Sequence, residues 1–399
     1  MKKKFAWPKE INVFLIVEFI LGVELIGPLL LVFFQGWGGL NQTQTQSLQS
    51  WFTLCIFLLE IPTGVYGDVR GKKKSVLIGY AFTALGTFVY TLVPNIWIFA
   101  LSEFIFALGI AFISGSEEAW MYDISKKYHL EDSFREITVT ARTLNMIGMI
   151  LAAGISIWAS RIFSVQQLFR LGVIPNIIAI ILLGLFVQGT NGFKKESLKP
   201  NYKDTMVEAF RILKNSLNLR KLVIYTGILA STSYFVIWLY QKALIVLSVP
   251  EDMLGVYRIA LLVAEIALIK IAEKLFKKMS PQKVLTLIAV IVGLGFILGG
   301  VLHSIVGVFF VLVFAGGLGL QVSSLMSKEI NMEISCDQRA TVLSFVSMAR
   351  RLMLTVFNPV VGLLVDTKGV FIAFTVLGVI SLLAIFFKPK IYIKNVFGK

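Results

Sequence analysis

Residues 64–74 read Gly64-Val-Tyr-Gly-Asp68-Val-Arg70-Gly71-Lys72-Lys73-Lys74, one acid and four cations between two long apolar runs. The flanking runs, 47–66 and 75–93, can each cross roughly 30 Å of hydrocarbon as a helix, which satisfies its own backbone polar groups there. The charged stretch is therefore predicted to be a short aqueous loop joining two membrane spans. Two glycines let such a loop turn tightly, and an acid beside four cations suits a switchable ionic latch at a helix end. A plain topogenic loop, positive because it faces the cytoplasm, explains the same residues without a latch.

The pattern repeats outward from this stretch. Of 399 residues 57% are hydrophobic and 15% charged, with mean hydropathy +0.81, more apolar surface than a soluble core could hide. Twelve spans are predicted: 11–34, 47–66, 75–93, 96–120, 138–160, 168–189, 222–247, 254–272, 284–302, 305–327, 341–365 and 370–387. The longest polar stretch separates the sixth from the seventh. It divides the chain into a six-helix bundle over 1–190, a cytoplasmic linker over 191–221 and a second six-helix bundle over 222–399. Segments that would be cytoplasmic with the N-terminus inside hold 29 of the 38 Lys and Arg, and the outer loops only Arg161 and Lys368. This asymmetry places both termini in the cytoplasm, in a bacterial-type inner membrane. The first apolar run is too long for a signal-peptide core and reads as a permanent helix.

Several function classes drop out. The net charge of +15 sorts by membrane side and forms no basic face on a soluble domain, so nucleic acid is not an expected partner. Cys55 and Cys336 lie far apart and read as free thiols. His129 and His303 stand in no His-acid or metal spacing, so neither an enzyme nor a metal site is expected. With no Walker-type loop, ATP is not the expected energy source.

At Gly64, Asp68, Gly71, Lys72 and Lys73 the chain resembles the major facilitator superfamily, whose signature between helices two and three has these residue types at these spacings. Arg70 sits one place after the family's usual arginine, where this chain has Val69. Ser114-Gly-Ser-Glu-Glu-Ala-Trp-Met-Tyr-Asp123 and Glu60-Ile-Pro62-Thr63-Gly64 are similar to patterns in a bacterial, drug-efflux-like branch. The resemblance implies an all-α membrane fold of twelve helices in two pseudo-symmetric six-helix bundles. It also implies that Asp68 caps the span starting near Ala340 and that Lys72 meets Asp123, a latch holding the halves together. The chain departs from the pattern in three places. Helix four has Glu103 near the position of the usual arginine, residues 148–154 lack the Gly-Pro pair of many proton-linked exporters, and the second-half counterpart of the loop has decayed to Glu273-Lys-Leu-Phe-Lys277-Lys278.

Charges inside a membrane cost at least ~2.5 to 3.5 kcal/mol each, so each is a candidate site. Glu18 and Glu24 sit well inside the first span, about 240° apart in projection. Glu24 is the better candidate for a cavity, and Glu18 serves equally well as a structural acid. Glu60 lies before Pro62, where a hinge and a proton site are alternatives. Glu103 occupies the outer half of the fourth span, and Glu117 and Glu118 its inner end, where pairing with Arg142 is the simpler account. Arg350 and Arg351 lie too deep in the eleventh span to snorkel and need an acid or an anionic solute group. Tyr234, Trp238 and Lys242 on the seventh span either line a cavity or pack.

These residues lead to an expected secondary transporter, working by alternating access and probing a proton gradient through Glu24, Glu60, Glu103 and Glu18, with no cofactor. Export of small amphipathic or cationic compounds is the leading expectation. Uptake of a nutrient by proton symport and a non-transporting membrane sensor are the alternatives. The expected partners are a small-molecule solute and membrane lipid, with the chain a monomer.

Overall fold

The computed structural model describes residues 7–189, residues 211–326 apart from 213, and residues 339–390. Every long element among them is helical. In the first compact unit, Met1–Lys199, the helices are α1 (Lys9–Leu29), α2 (Gln42–Arg70), α3 (Lys72–Tyr90), α4 (Ile96–Lys127), α5 (Glu131–Ala159) and α6 (Val165–Phe186). In the second, Pro200–Lys399, they are α7 (Leu217–Val246), α8 (Leu254–Lys278), α9 (Pro281–Leu302), α10 (Ile305–Met326), α11 (Arg339–Lys368) and α12 (Val370–Phe387). Most of the stretch 191–221, expected as the linker, lies outside the described residues, as does Cys336.

Ten of these helices are long and apolar enough by composition to cross a membrane. The other two, α3 and α8, are as long but carry charge. Lys72, Lys73 and Lys74 open α3, and α8 holds Arg258, Glu265, Lys270 and Glu273. The expected loops are also shorter than their charge suggests. α2 stays helical through Arg70 and α3 begins at Lys72, so Gly71 alone makes the turn, with φ 97°. Gly64 is no turn residue: it lies inside α2 with open space where a side chain would stand. Likewise Glu273–Lys278 forms the last turns of α8. Lys and Arg are good helix formers, and at the water interface nothing stops a helix at the first charge.

Sequence-local capping starts several helices. Asn41 Oδ1 accepts from the Gln44 amide at 2.8 Å, and Gln44 Oε1 accepts from the Asn41 amide at 3.0 Å, a reciprocal box at the head of α2. Ser164 and Gln167 repeat the device on α6. Arg170 donates to the Thr91 hydroxyl and carbonyl, both at 2.9 Å, and ties α6 to the end of α3.

The first and fourth helices of each unit are interrupted. The α-helical part of α1 stops at Gly22 and resumes as a 3-10 turn at Gly27, followed by a π-helical turn over Val32–Trp37. α4 breaks at Gly115 and Ser116, α7 at Phe235, and α10 is π-helical over Val311–Gly316. Such irregularities frequently mark functional positions. At the α1 interruption, α1 and α5 touch backbone to backbone. A Cβ on Gly22 would lie 2.1 Å from the Asn145 carbonyl oxygen, and one on Gly148 2.3 Å from that of Phe19.

Candidate functional site

The residues of the charged turn separate into distinct roles. Lys72 Nζ lies 2.8 Å from Asp123 Oδ2, with both side chains about a quarter exposed (23% and 27%), and 3.4 Å from the Ala119 carbonyl. This pairing ties the start of α3 to the C-terminal part of α4. Among the described residues Lys73 meets no acid: it donates to the carbonyls of Gly184 and Val187 at 2.8 and 2.6 Å, where the unpaired C=O groups of α6 gather negative potential. Asp68 and Arg70 are exposed on the last turn of α2. The side chains at 339–345, around the expected partner of Asp68, lie outside the described residues.

A neighbouring cluster was not anticipated from sequence. Glu10, 6% exposed, accepts from Lys127 Nζ at 2.9 Å, from the Tyr128 hydroxyl at 2.8 Å and from the Gln188 amide at 2.8 Å. Trp120 Nε1 donates to the Gln188 carbonyl at 3.1 Å and packs edge-on against Phe14. The end of α6 is thus clamped by α1, α3 and α4. The place of Glu10 directly before the apolar run that starts at Ile11 is the one sign of this burial in the sequence.

Three groups of membrane acids emerge in the first unit. Glu117, at the break in α4, accepts a very short hydrogen bond from the Tyr80 hydroxyl of α3. Glu18 of α1 feels both Glu117 and Arg142 of α5. The expected pairing of Arg142 with Glu117 and Glu118 is therefore corrected: Arg142 acts on Glu18, and Glu118 is exposed. Four helices bring two carboxylates, one phenol and one guanidinium together.

The second group surrounds Glu103, 3% exposed in α4, which accepts from Gln49 Nε2 of α2 at 2.7 Å and hydrogen-bonds Tyr90 of α3. Buried polar residues Gln42, Gln46 and Gln49 line the same face of α2. The i, i+4, i+7 spacing of three glutamines is the signal of this face in the sequence, a faint one because glutamine carries no charge.

Glu24 forms the third. It is not inside a continuous helix but exposed in the unwound stretch of α1, between Val23 and Leu25. Those two neighbours help line an apolar cleft of about 310 Å³ completed by Ile20, Leu171, Ile174 and Pro175. Glu60 is half-buried two residues before Pro62, whose missing N–H interrupts the ladder of α2. There the Thr63 hydroxyl bonds the Leu59 carbonyl at 2.8 Å and the Ala111 carbonyl of α4 at 2.9 Å.

In the second unit Arg350 is exposed and Arg351 half-buried on α11. Trp238 is 4% exposed and packs in the interior, whereas Tyr234, against Phe235, and Lys242 are half-buried. Among the described residues of this unit Glu265 is the buried acid, accepting from Gln321 Nε2 of α10 at 2.7 Å.

Known proteins share both the sequence and the fold. YxaM of Bacillus subtilis (strain 168), described as an uncharacterized MFS-type transporter, is 27% identical over 207 residues, 50% of this chain and 49% of YxaM. MJ1560 of Methanocaldococcus jannaschii, described in the same words, is 26% identical over 248 residues, 57% of this chain and 61% of its own. The chain spans about half to three-fifths of the length of these curated relatives. Among solved structures, nucleoside transporter NupG superposes with a TM-score of 0.76 at 13% identity, covering 95% of this chain and 98% of its own. A POT family transporter in complex with 5-aminolevulinic acid does so with a TM-score of 0.72 at 16% identity, covering 96% of each chain. At such identities the likeness is one of fold. The sequence profile of the Major Facilitator Superfamily matches residues 13–332. With that match spanning four-fifths of a chain built from multiple membrane-crossing helices, this protein belongs to the major facilitator superfamily.

Proposed function

We propose that this chain is a secondary active transporter working by alternating access, coupled to protons, which exports small amphipathic or cationic compounds across a bacterial-type inner membrane. The observation that carries this reading is the placement of Glu24. Glu24 stands in an unwound stretch of a membrane helix, and its two chain neighbours, Val23 and Leu25, help line an apolar cleft. A carboxylate beside apolar walls suits a solute with a positive charge and a hydrophobic body. An interrupted membrane helix supplies both the exposed backbone and the hinge that a carrier site requires.

The gathering of Glu18, Glu117, Tyr80 and Arg142 supports proton coupling. Two neighbouring carboxylates, one of them facing a cation, respond to any motion that brings the cation nearer or admits water, and so load or release a proton. Glu103 is a second proton carrier in this reading. The Lys72–Asp123 pair acts as part of a latch at the inner end, and the chain works as a monomer with both termini in the cytoplasm.

The test is flux of a lipophilic cation, tetraphenylphosphonium, in vesicles of both orientations under an imposed proton gradient. Export predicts uptake into inside-out vesicles when their interior is acid. Glu24→Gln should lower its affinity at least tenfold while leaving a neutral analogue within twofold. Flux indifferent to the gradient in both orientations excludes proton coupling, and accumulation only in right-side-out vesicles would establish symport instead.

A further inference from the structure

The glutamines of the first unit form a ladder from the outer end of the helices to Glu103. Gln35, half-buried on the π-helical turn that ends the first span, donates Nε2 to Gln42 Oε1 at 2.7 Å. Four residues on, Gln46 is fully buried. Three further, Gln49 donates to Glu103 at 2.7 Å. Residues 42, 46 and 49 fall within about 60° of one another around α2, and neighbours at these spacings have Cβ atoms about 5–6 Å apart. An aromatic cluster closes around the ladder, with Tyr90, which bonds Glu103, seated among Phe33, Phe34, Phe99 and Phe169 at ring-centroid distances of 5.1 to 6.1 Å.

Two rungs have unmet amide atoms. Gln42 Nε2 has no hydrogen-bond partner among the described residues, and at Gln46 both Nε2 and Oε1 lack one, although all three atoms are buried. Leaving a buried donor or acceptor unmet costs about 1–3 kcal/mol each, and an amide that kept this cost for nothing would be no better than a leucine. An amide presents a donor and an acceptor together. A cation would satisfy only the oxygen and a carboxylate only the nitrogen, whereas water both donates and accepts and typically makes about three such bonds when buried.

We propose that Gln46 holds buried water which links the outer rungs of this ladder to Glu103 and carries protons between Glu103 and the outer side of the membrane. The glutamines hold and orient the water without titrating themselves. In the release direction the Glu103 carboxyl O–H breaks as its proton bonds to the adjacent water oxygen, and that water passes one of its own protons outward. Loading runs the same exchange in reverse, so the water is regenerated in both. The groups facing Glu103 are Gln49 and, through its charge, Cys55 from α2, and Tyr90 from α3. This inference rests on Glu103 being a proton carrier in the function proposed above.

Infrared spectroscopy of the full chain in lipid nanodiscs separates the two ideas. The Glu103 carboxyl band is identified as the one lost in Glu103→Gln, and its shift after a switch to D₂O is followed in time. Gln46→Leu and Gln46→Met should each slow that shift at least tenfold, and Gln46→Asn, which keeps an amide, should slow it less than threefold. Exchange at the native rate in Leu and Met variants overturns the water path while leaving Glu103 as a carrier. If no carboxyl band disappears in Glu103→Gln at any pH, the carrier role fails first and the path with it. Thermal unfolding gives an independent readout. A dry Gln46 predicts that leucine stabilises the protein, which would overturn the proposal, whereas an amide satisfied by water predicts no gain.

Discussion

Lys72 and Lys73 are adjacent and chemically identical, yet their contacts predict different couplings to Asp123. Lys72 makes a 2.8 Å ion pair with Asp123 between side chains that are 23% and 27% exposed. A solvated surface pair is worth about 0.2–1 kcal/mol, and a hydrogen bond to a charged group about 1.5–3 kcal/mol. With about three-quarters of each side chain withdrawn from water, the expected coupling is about 1–2 kcal/mol. A double-mutant cycle of Lys72→Met and Asp123→Asn measures it, with unfolding followed in mixed micelles by titration with a denaturing detergent. The same cycle with Lys73→Met is the control. Lys73 serves carbonyls of α6 at 2.8 and 2.6 Å, so its loss destabilises by itself but should add to the Asp123 change within about 0.3–0.5 kcal/mol. A Lys72–Asp123 coupling below that margin, or equal couplings for both lysines, would refute the division of labour within the motif.

Other consequences are as direct. Tyr128 lies just past the end of α4, and its hydrogen bond to Glu10 raises the ionisation of its phenol above the usual tyrosine range. Because the folded state favours the protonated phenol, this contribution is complete at neutral pH and fades only as pH rises through the raised value. Glu10→Gln should bring the Tyr128 transition, read by ultraviolet absorbance against Tyr128→Phe, back down. Gly148→Leu should destabilise the first unit by about 1–3 kcal/mol or more, since the new Cβ would stand 2.3 Å from the Phe19 carbonyl; an unchanged melting temperature would contradict the close crossing. Glu18→Gln should cut proton-driven flux at least tenfold with solute binding within twofold, measured by equilibrium binding alongside vesicle transport.

Much of the architecture was legible because a membrane imposes it. Every crossing helix needs some twenty apolar residues, and the Lys and Arg count checks the sidedness of each loop independently. Helix ends were less legible. Charge marks where hydrocarbon stops, whereas α2 and α8 continue for several residues into water because nothing there opposes a helix. Pairings between distant helices were the least legible. Lys72 with Asp123 came from a motif, but Glu18 with Glu117, and Glu10 with Gln188, join residues about a hundred or more positions apart, and helical periodicity specifies a face without naming what the face meets.

The interruption of α1 shows how such a pairing is built. From Ile11 to Phe34 the sequence is apolar apart from Asn12 and its two acids, which predicts an unbroken rod, and only Gly22, Gly27 and Pro28 signal otherwise. In the structure the Val23 amide bonds the Ile20 carbonyl at 3.0 Å instead of continuing the i to i−4 ladder, which releases the carbonyl of Phe19. In a membrane that oxygen cannot turn to water, and α5 meets it with Gly148, where any side chain would collide. One turn earlier, Asn145 Nδ2 donates to the Glu18 carbonyl at 3.0 Å and braces the last regular turn. The break therefore depends on residues 120 or more positions away, and the same crossing that tolerates it brings Arg142, one turn before Asn145, towards Glu18. The unwound stretch that exposes Glu24 and the acid cluster around Glu18 are two results of a single close approach of α1 and α5. Widening that crossing should disturb both together.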